Sequence, residues 1–355
     1  MNEFRYEKQI ILKGFGMPVQ QLLQDSKVLI VGAGGLGTPC AQYLNGSGVG
    51  TIGLIDDDSI SLSNLPRQTL YDEAEIGLFK VNVLSEKLAK QNPATSLICY
   101  NEFLTVANAL NIIKAYDVVI DASDNFATRY LVNDSCVLLN KPIIYGAVHE
   151  FEGQVSVLNF DGGPTYRCLF PGNAAADLIP NCNDNGIIGA LPALIGTYQA
   201  IETIKIITGV GKPLSGHLLI IDTLTQSHFK IAVTVNPENK KIAQLRESYL
   251  TPGCINEVQI IDAATFKNWL QVKRELQLID VRTKEEFKHQ SWPKAKNIPL
   301  TELHTRQSEI DFHIPVITIC ETGVRSKNAA LLLKNSDNHR QIFSLQGGLQ
   351  SLLSI

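Results

Sequence analysis

Short apolar runs alternate with stretches of helical period along the first part of the chain. VLIVG (28–32), TIGLID (51–56), VVIDAS (118–123), PIIYGAV (142–148) and QVSVLNF (154–160) read as strands. Helical patterns at 80–91 and 104–115 fall between them. Residues 192–209 form an amphipathic pattern with a proline at its start and a glycine at its end, the expected order for a helix. Near-continuous apolar strands separated by helices predict a mostly parallel sheet covered on both faces. From about residue 236 the pattern lapses into NPENKKIAQLRESYLTPGCINE, which is polar and interrupted by prolines. Beyond it, LQLIDVRT (276–283) and PVITIC (315–320) are again strands of the buried type. The expected organisation is an α/β domain at 1–240, a linker at 241–257 and a smaller α/β domain at 258–355.

With 355 residues, 45% of them hydrophobic, the chain has material for two cores. A net charge of −4 and no dense basic run give no reason to expect nucleic acid. No apolar run reaches the ~18 residues of a membrane span, and the opening MNEFRYEKQI lacks a signal-peptide core. No membrane is therefore expected, and a cytoplasmic location is. Seven cysteines without regular spacing do not make a disulfide framework, which leaves thiols free for chemistry.

The first strand runs into G-A-G-G-L-G, with Gly32, Gly34, Gly35 and Gly37. Glycine there permits a tight turn and lets phosphate approach backbone N–H groups at a helix N-terminus. Asp56 closes the second strand, where a carboxylate can accept from ribose hydroxyls. These features alone suit an NAD-dependent oxidoreductase equally well. Asn64, Arg67 and Gln68 follow the acidic run Asp56, Asp57 and Asp58, with Lys80 beyond them and Asp121, Asp124 and Asn125 at the end of a buried strand. Cations and a strand-end aspartate converging on one place suit an enzyme that neutralises a triphosphate and holds Mg²⁺.

RYEKQIIL, GAGGLG, Asp56, SNLPRQ, Lys80, SDN, YGA, EGQVSV, YRCLFP and GTYQAIETIK occur in order over residues 4–235. In this order the chain resembles the ThiF/MoeB-type adenylyltransferases, relatives of ubiquitin-activating enzymes, that activate ubiquitin-like sulfur carriers. The resemblance implies a Rossmann-like fold, ATP and Mg²⁺ as cofactors, and a homodimer. It places Gly35 on the phosphates and Asp56 on the ribose. It puts Asn64, Arg67 and Lys80 on the polyphosphate, Gln68 among the nucleotide-binding residues and Asp124 on Mg²⁺ and the acyl group. Two departures stand out. The arginine such enzymes donate across the dimer is Lys8 here, which keeps the charge but not the bidentate fork. The usual pair of C-x-x-C zinc motifs is reduced to Thr165–Cys168 and a cysteine-free ENKKI, leaving Cys254 as a stray thiol, so no zinc is expected.

Among the cysteines, Cys182 in IPNCNDNGIIGA matches the position at which relatives carry one that attacks the activated carboxylate or forms a mixed disulfide. Cys40, Cys99 and Cys136 lie in apolar patterns and are expected to be buried packing residues. Cys320 opens C-E-T-G-V-R-S between a strand and a helix. Loop N–H groups, the helix N-terminus and Arg325 favour a thiolate or persulfide anion there; Gly323 lets the loop curl, and Ser326 is placed to cap the helix. A phosphatase loop also pairs cysteine with arginine, but is one residue longer. LIDVRTKEEF, PKAKNIPL, CETGVRS and LQGGLQSL together resemble a rhodanese domain.

The combined expectation is adenylation of the C-terminal glycine of a small ubiquitin-fold sulfur carrier ending in Gly-Gly, followed by sulfur transfer from a Cys320 persulfide. A sulfur donor such as a cysteine desulfurase would act upstream. The sequence does not separate thiamine, molybdopterin and tRNA thiolation carriers. Adenylation of a non-protein carboxylate beside an independent rhodanese, and a binding protein that has lost catalysis, remain alternatives.

Overall fold

The computed structural model describes residues 3–171, 186–249, 259–272, 275–303, 306–334 and 341–353. It divides into two compact units, Met1–Tyr249 and Leu250–Ile355.

The first unit opens with α1 (Glu3–Ile10) and α2 (Gly16–Asp25), then β1 (Lys27–Val31), α3 (Gly37–Ser47), β2 (Thr51–Ile55), α4 (Lys80–Gln91) and β3 (Ser96–Tyr100). It continues through α5 (Ala109–Ile113), β4 (Val118–Asp121), α6 (Phe126–Leu138), β5 (Ile143–His149) and β6 (Glu152–Leu158). α7 (Tyr166–Leu169), α8 (Ala190–Thr208), β7 (His217–Asp222) and β8 (Ser227–Ala232) complete it. The strands form one eight-stranded sheet in the order β3-β2-β1-β4-β5-β6-β7-β8. It is parallel from β3 to β5 and antiparallel from β5 to β8.

Alternation along β1 explains the layering. Val28 and Ile30 face a core built with Cys40 and Leu44 of α3, Leu84 of α4 and Ile195 of α8. Leu29 and Val31 face a second core with Ile113 of α5 and Val132 and Cys136 of α6. Because both faces are covered, Val28 through Val31 are all buried, and the strand reads as a continuous apolar run. Burial pushes the Cys40 and Cys136 thiols up, which keeps them protonated packing residues.

Three expectations are corrected. The helix predicted at 104–115 narrows to α5, because the Asn108 side chain accepts from Thr105 N–H at 2.7 Å and holds the approach as a turn. Cys99 is exposed, since β3 is an edge strand. The predicted linker begins too early. Residues 241–249 belong to the first unit, where Leu245 and Tyr249 pack on its second core and the Tyr249 hydroxyl donates to Asp134 at 2.8 Å. Asp134 is also held by Arg167 through two bonds of 2.8 and 2.7 Å, and the Arg167 guanidinium stacks over Tyr130. That charge-assisted network anchors a polar segment that no hydrophobic period marked. The rest of the predicted linker lies outside the described residues.

The second unit contains β9 (Gln259–Ile261), α9 (Ala263–Gln271), β10 (Gln277–Asp280), α10 (Lys284–His289) and β11 (Lys296–Asn297). β12 (Val316–Ile319), α11 (Val324–Lys334), β13 (Ile342–Leu345) and α12 (Gly348–Leu353) follow. Its five strands are all parallel, in the order β11-β10-β12-β13-β9. Ala329, Ala330 and Leu333 of α11 cover one face, and Phe266 of α9 with Leu349 and Leu352 of α12 cover the other. No helix among the described residues is long and apolar enough to cross a membrane.

Candidate active sites

The glycine loop turns sharply between β1 and α3. Gly32 has φ +104°, and a Cβ on it would meet the Ala122 carbonyl oxygen at 2.7 Å. A Cβ on Gly37 would lie 1.8 Å from the Gly32 carbonyl oxygen, so no larger residue closes this turn. The loop leaves the N-terminal turn of α3 at the C-terminal edge of the sheet, where helix-terminal N–H groups can take an anion.

Asp56, just beyond β2, reaches this loop. Its carboxylate accepts from Ala33 N–H at 2.7 Å and from Asp58 N–H at 2.8 Å. Burial raises its pKa, while Lys80 and the two backbone donors oppose the rise. Lys80 is almost fully buried and donates to Asp58 at 2.7 Å. Tyr71 bridges the same elements, donating to the Ala33 and Lys80 carbonyls at 2.9 and 3.3 Å. Around the loop, the Gly35 Cβ position lies 3.1 Å from the Arg67 carbonyl and that of Gly34 lies 3.5 Å from the Gln68 amide nitrogen. Gln68 is 3% exposed, and its side-chain oxygen has no hydrogen-bond partner among the described residues. Such an orphan acceptor beside a nucleotide loop fits a ligand-supplied donor.

The structure thus brings Gly35, Asp56, Arg67, Gln68 and Lys80 together. Asn64 serves the turn that presents them, its side chain accepting from Ser61 N–H at 3.2 Å. Arg67 donates to the Ser63 carbonyl at 2.8 Å and is partly exposed. Asp124 is exposed beyond β4, close to Asn125, which caps α6. Asp121, in contrast, is buried and accepts from the Ser123 N–H and hydroxyl at 3.1 and 2.6 Å, which makes it a strand-end brace. Lys8 is highly exposed on α1, its ammonium 3.7 Å from Glu7, and among the described residues it joins no contact of this site. Cys182 lies outside the described residues.

Asp56, Asp57 and Asp58 converge closely enough to hold a cation. Their mutual repulsion shows at Asp57, whose pKa is pushed from 3.8 to about 7 by burial first and then by Asp58 and Asp56. Between those values the folded chain holds a proton that the unfolded chain releases. The contribution of Asp57 to stability therefore falls as pH rises through that window, and its full penalty stands above pH 7. We expect Asp57→Asn to raise the melting temperature more at pH 8 than at pH 5, read by thermal melts; an equal effect at both would refute the assignment.

In the second unit, Cys320 follows β12 and is fully buried. Its sulfur accepts from Gly323 N–H and Ser326 N–H, each at 3.2 Å, and its S–H donates to the Ser326 hydroxyl oxygen at 3.5 Å. Gly323 has φ +93°, which curls the loop. The cap expected of Ser326 is corrected: α11 starts at Val324, so Ser326 lies inside its first turn and its N–H serves the thiol. The sulfur itself stands where an N-cap acceptor would, with the N-terminal end of α11 directed toward it. Arg325 is held by Glu286 through bonds of 2.8 and 2.6 Å, a partner that sequence reasoning missed. The capping-box spacing of Thr283 and Glu286 in TKEEF marks a helix start but carries no signal of a partner 39 residues away.

These sites define a nucleotide-binding α/β protein joined to a domain that holds a cysteine sulfur in a backbone cradle. Residues 6–243 match the ThiF family and residues 262–354 the rhodanese-like domain. The chain belongs to the ThiF family and carries a C-terminal rhodanese-like domain. Among its relatives is the adenylyltransferase and sulfurtransferase MOCS3 of Drosophila grimshawi, 38% identical over 98% of this chain and 83% of that protein. MOCS3 of Aedes aegypti is also 38% identical, over 97% and 83%. Among solved structures, E. coli MccB with AMPCPP and MccA aligns at TM-score 0.59 and 25% identity, covering 66% of this chain and 73% of that one. E. coli MccB with ATP aligns at TM-score 0.57 with the same identity and coverage.

Proposed function

We propose that this chain adenylates the C-terminal glycine of a small ubiquitin-fold sulfur carrier ending in Gly-Gly and then transfers sulfur to it from Cys320. The observation that carries the reading is the pairing, in one chain, of the glycine-loop, Asp56 and Lys80 cluster with the N–H cradle around the Cys320 sulfur. ATP is the activating nucleotide. Its phosphates lie on the glycine loop at Gly35 and on Asn64, Arg67 and Lys80, with the ribose on Asp56 and a donor group of the nucleotide on the Gln68 oxygen. Mg²⁺, held by Asp124, would supply neutralisation of the phosphate charge when bound.

The carrier carboxylate attacks the α-phosphorus, the bond to the bridging oxygen breaks, and pyrophosphate leaves. Arg67 and Lys80 stabilise charge on the leaving group; Lys80 exchanges part of its bond to Asp58 for the phosphates. The terminal sulfur of a Cys320 persulfide then attacks the acyl carbon, and AMP departs with the bonding electron pair. The acyl disulfide so formed is cleaved by a thiol to release the carrier thiocarboxylate. Cys182 acts covalently, by attack on the activated carboxylate or by mixed-disulfide formation. A homodimer would let Lys8 of each protomer reach the partner's phosphates. A cysteine desulfurase supplies the sulfur, in the reducing cytoplasm that keeps these thiols free.

Zinc does not fit. The Cys168 sulfur accepts from Asn236 N–H at 3.4 Å and the Asn239 amide at 3.5 Å, donates to the Asn236 carbonyl at 3.9 Å and shares a hydrogen bond with the Thr165 hydroxyl at 3.5 Å. We expect substoichiometric zinc by elemental analysis and no fall in melting temperature with EDTA; a stoichiometric ion would overturn this.

The test of function is ATP–pyrophosphate exchange with and without a Gly-Gly carrier. Carrier-dependent exchange that Asp124→Ala abolishes supports the reading. Exchange without any carrier would indicate a small carboxylate substrate.

A further inference from the structure

The turn that carries Asp124 is gripped from within the fold by a buried arginine. Ser123, Asp124 and Asn125 link β4 to α6, and Arg129 lies in the first turn of that helix. Arg129 is only 7% exposed. Its guanidinium reaches back toward the start of the helix and donates to the Ser123 carbonyl at 3.0 Å. The central guanidinium carbon lies 5.9 Å from the centre of the Phe126 ring and 5.4 Å from that of Tyr145 on β5, within cation–π range of both. Asp121 takes the other polar groups of Ser123, accepting from its N–H and hydroxyl at 3.1 and 2.6 Å.

Ser123 is thus tied at its N–H, its hydroxyl and its carbonyl, each time by a buried side chain. Asn125 is fixed in turn, since it caps α6 by accepting from Thr128 N–H at 2.9 Å. Asp124 stands between these two anchored residues. It is exposed, and among the described residues its carboxylate accepts from the Asn125 amide alone, at 3.4 Å. Most of its acceptor capacity is left for a ligand.

Stability does not account for an arginine at this place. Burial strips its hydration, and the dipole of α6 opposes a cation in the first turn. Burial also pushes the Asp121 carboxyl up, and the Arg129 charge opposes that rise. Desolvation of two such groups largely offsets their attraction, so the pair adds little net stability. What the guanidinium does supply is a donor of fixed direction for the Ser123 carbonyl.

Resting on the reading of Asp124 as the Mg²⁺ residue, we propose that Arg129 is a positioning residue for adenylation. It fixes the Ser123–Asn125 turn, and so holds the Asp124 carboxylate where MgATP and the carrier carboxylate meet. It acts through the backbone of Ser123.

The experiment measures ATP binding to the full chain by calorimetry, once with Mg²⁺ and once with EDTA, beside carrier-dependent ATP–pyrophosphate exchange. In Arg129→Gln the gain in ATP affinity that Mg²⁺ gives is expected to fall about tenfold, the scale of one charge-assisted hydrogen bond, with affinity in EDTA within about twofold of wild type. Exchange should lose kcat while the KM for the carrier stays unchanged. Arg129→Lys keeps the charge and one donor but not the planar fork, so it should lose about threefold of the gain. It carries the test if the glutamine variant fails to fold. Equal weakening with and without Mg²⁺, as a merely structural role would give, overturns the proposal. So does an unchanged gain in either variant. Asp124→Ala separates the two claims: retention of the full Mg²⁺ gain there would overturn the Asp124 reading and the proposal together. Loss of the gain in that variant beside an unaffected Arg129→Gln would overturn the proposal alone.

Discussion

Cys320→Ala is expected to leave carrier-dependent ATP–pyrophosphate exchange at its wild-type rate while thiocarboxylate formation falls at least about 10³-fold. The separation follows from the architecture. The nucleotide cluster lies wholly within the unit ending at Tyr249, and Cys320 in the unit that follows. Alanine removes the sulfur on which Gly323 N–H and Ser326 N–H converge and leaves nothing nucleophilic in the cradle. Cys320→Ser guards against misfolding, since its hydroxyl retains an acceptor for those donors. It should show the same split between the two assays. Loss of exchange in both variants would mean that the second unit takes part in adenylation.

Replacing Lys80 should have the second large effect, and the opposite pattern. Lys80→Met is expected to lower the exchange rate by about 10²–10³, the usual scale for losing one preorganised charge at a phosphoryl site. It also removes the cation that opposes the raised carboxyl pKa values of Asp56 and Asp57. Because Asp58 remains largely exposed, water takes over part of its solvation. The stability loss should therefore be about 1–2 kcal/mol, below that of a fully buried pair. Loading of Cys320 with sulfur should be unchanged. Steady-state exchange, thermal melts and intact mass read the three effects separately. Unaltered exchange would remove Lys80 from the nucleotide site.

The legible parts of this protein were those where one residue type answers one physical demand. GAGGLG was readable because Gly32 and Gly37 occupy positions where any Cβ collides with backbone. The central strands were readable because burial on both faces leaves continuous apolar runs, as in β1 and β4. Edge strands were not: β3 and β8 are largely exposed, and their mixed composition carries no such period. Side-chain networks were hidden for another reason. The bond from Tyr249 to Asp134 spans 115 residues, and that from Arg325 to Glu286 spans 39, so no local window contains either pair. Sequence order grouped the nucleotide residues, but only the fold shows Tyr71 linking the loop to Lys80, or Asp58 serving as the lysine's counter-ion. Lys8 was assigned through a partner protomer, which a single chain does not display.

The central claim is that one polypeptide activates a carrier and delivers sulfur to it. The most direct test incubates persulfide-loaded enzyme with MgATP, a reducing thiol and a carrier ending in Gly-Gly, then measures the intact mass of the carrier. The account predicts replacement of one terminal oxygen by sulfur, dependent on ATP and lost in both Cys320→Ala and Asp124→Ala. A carrier that forms its adenylate yet never gains sulfur from loaded Cys320 would contradict it.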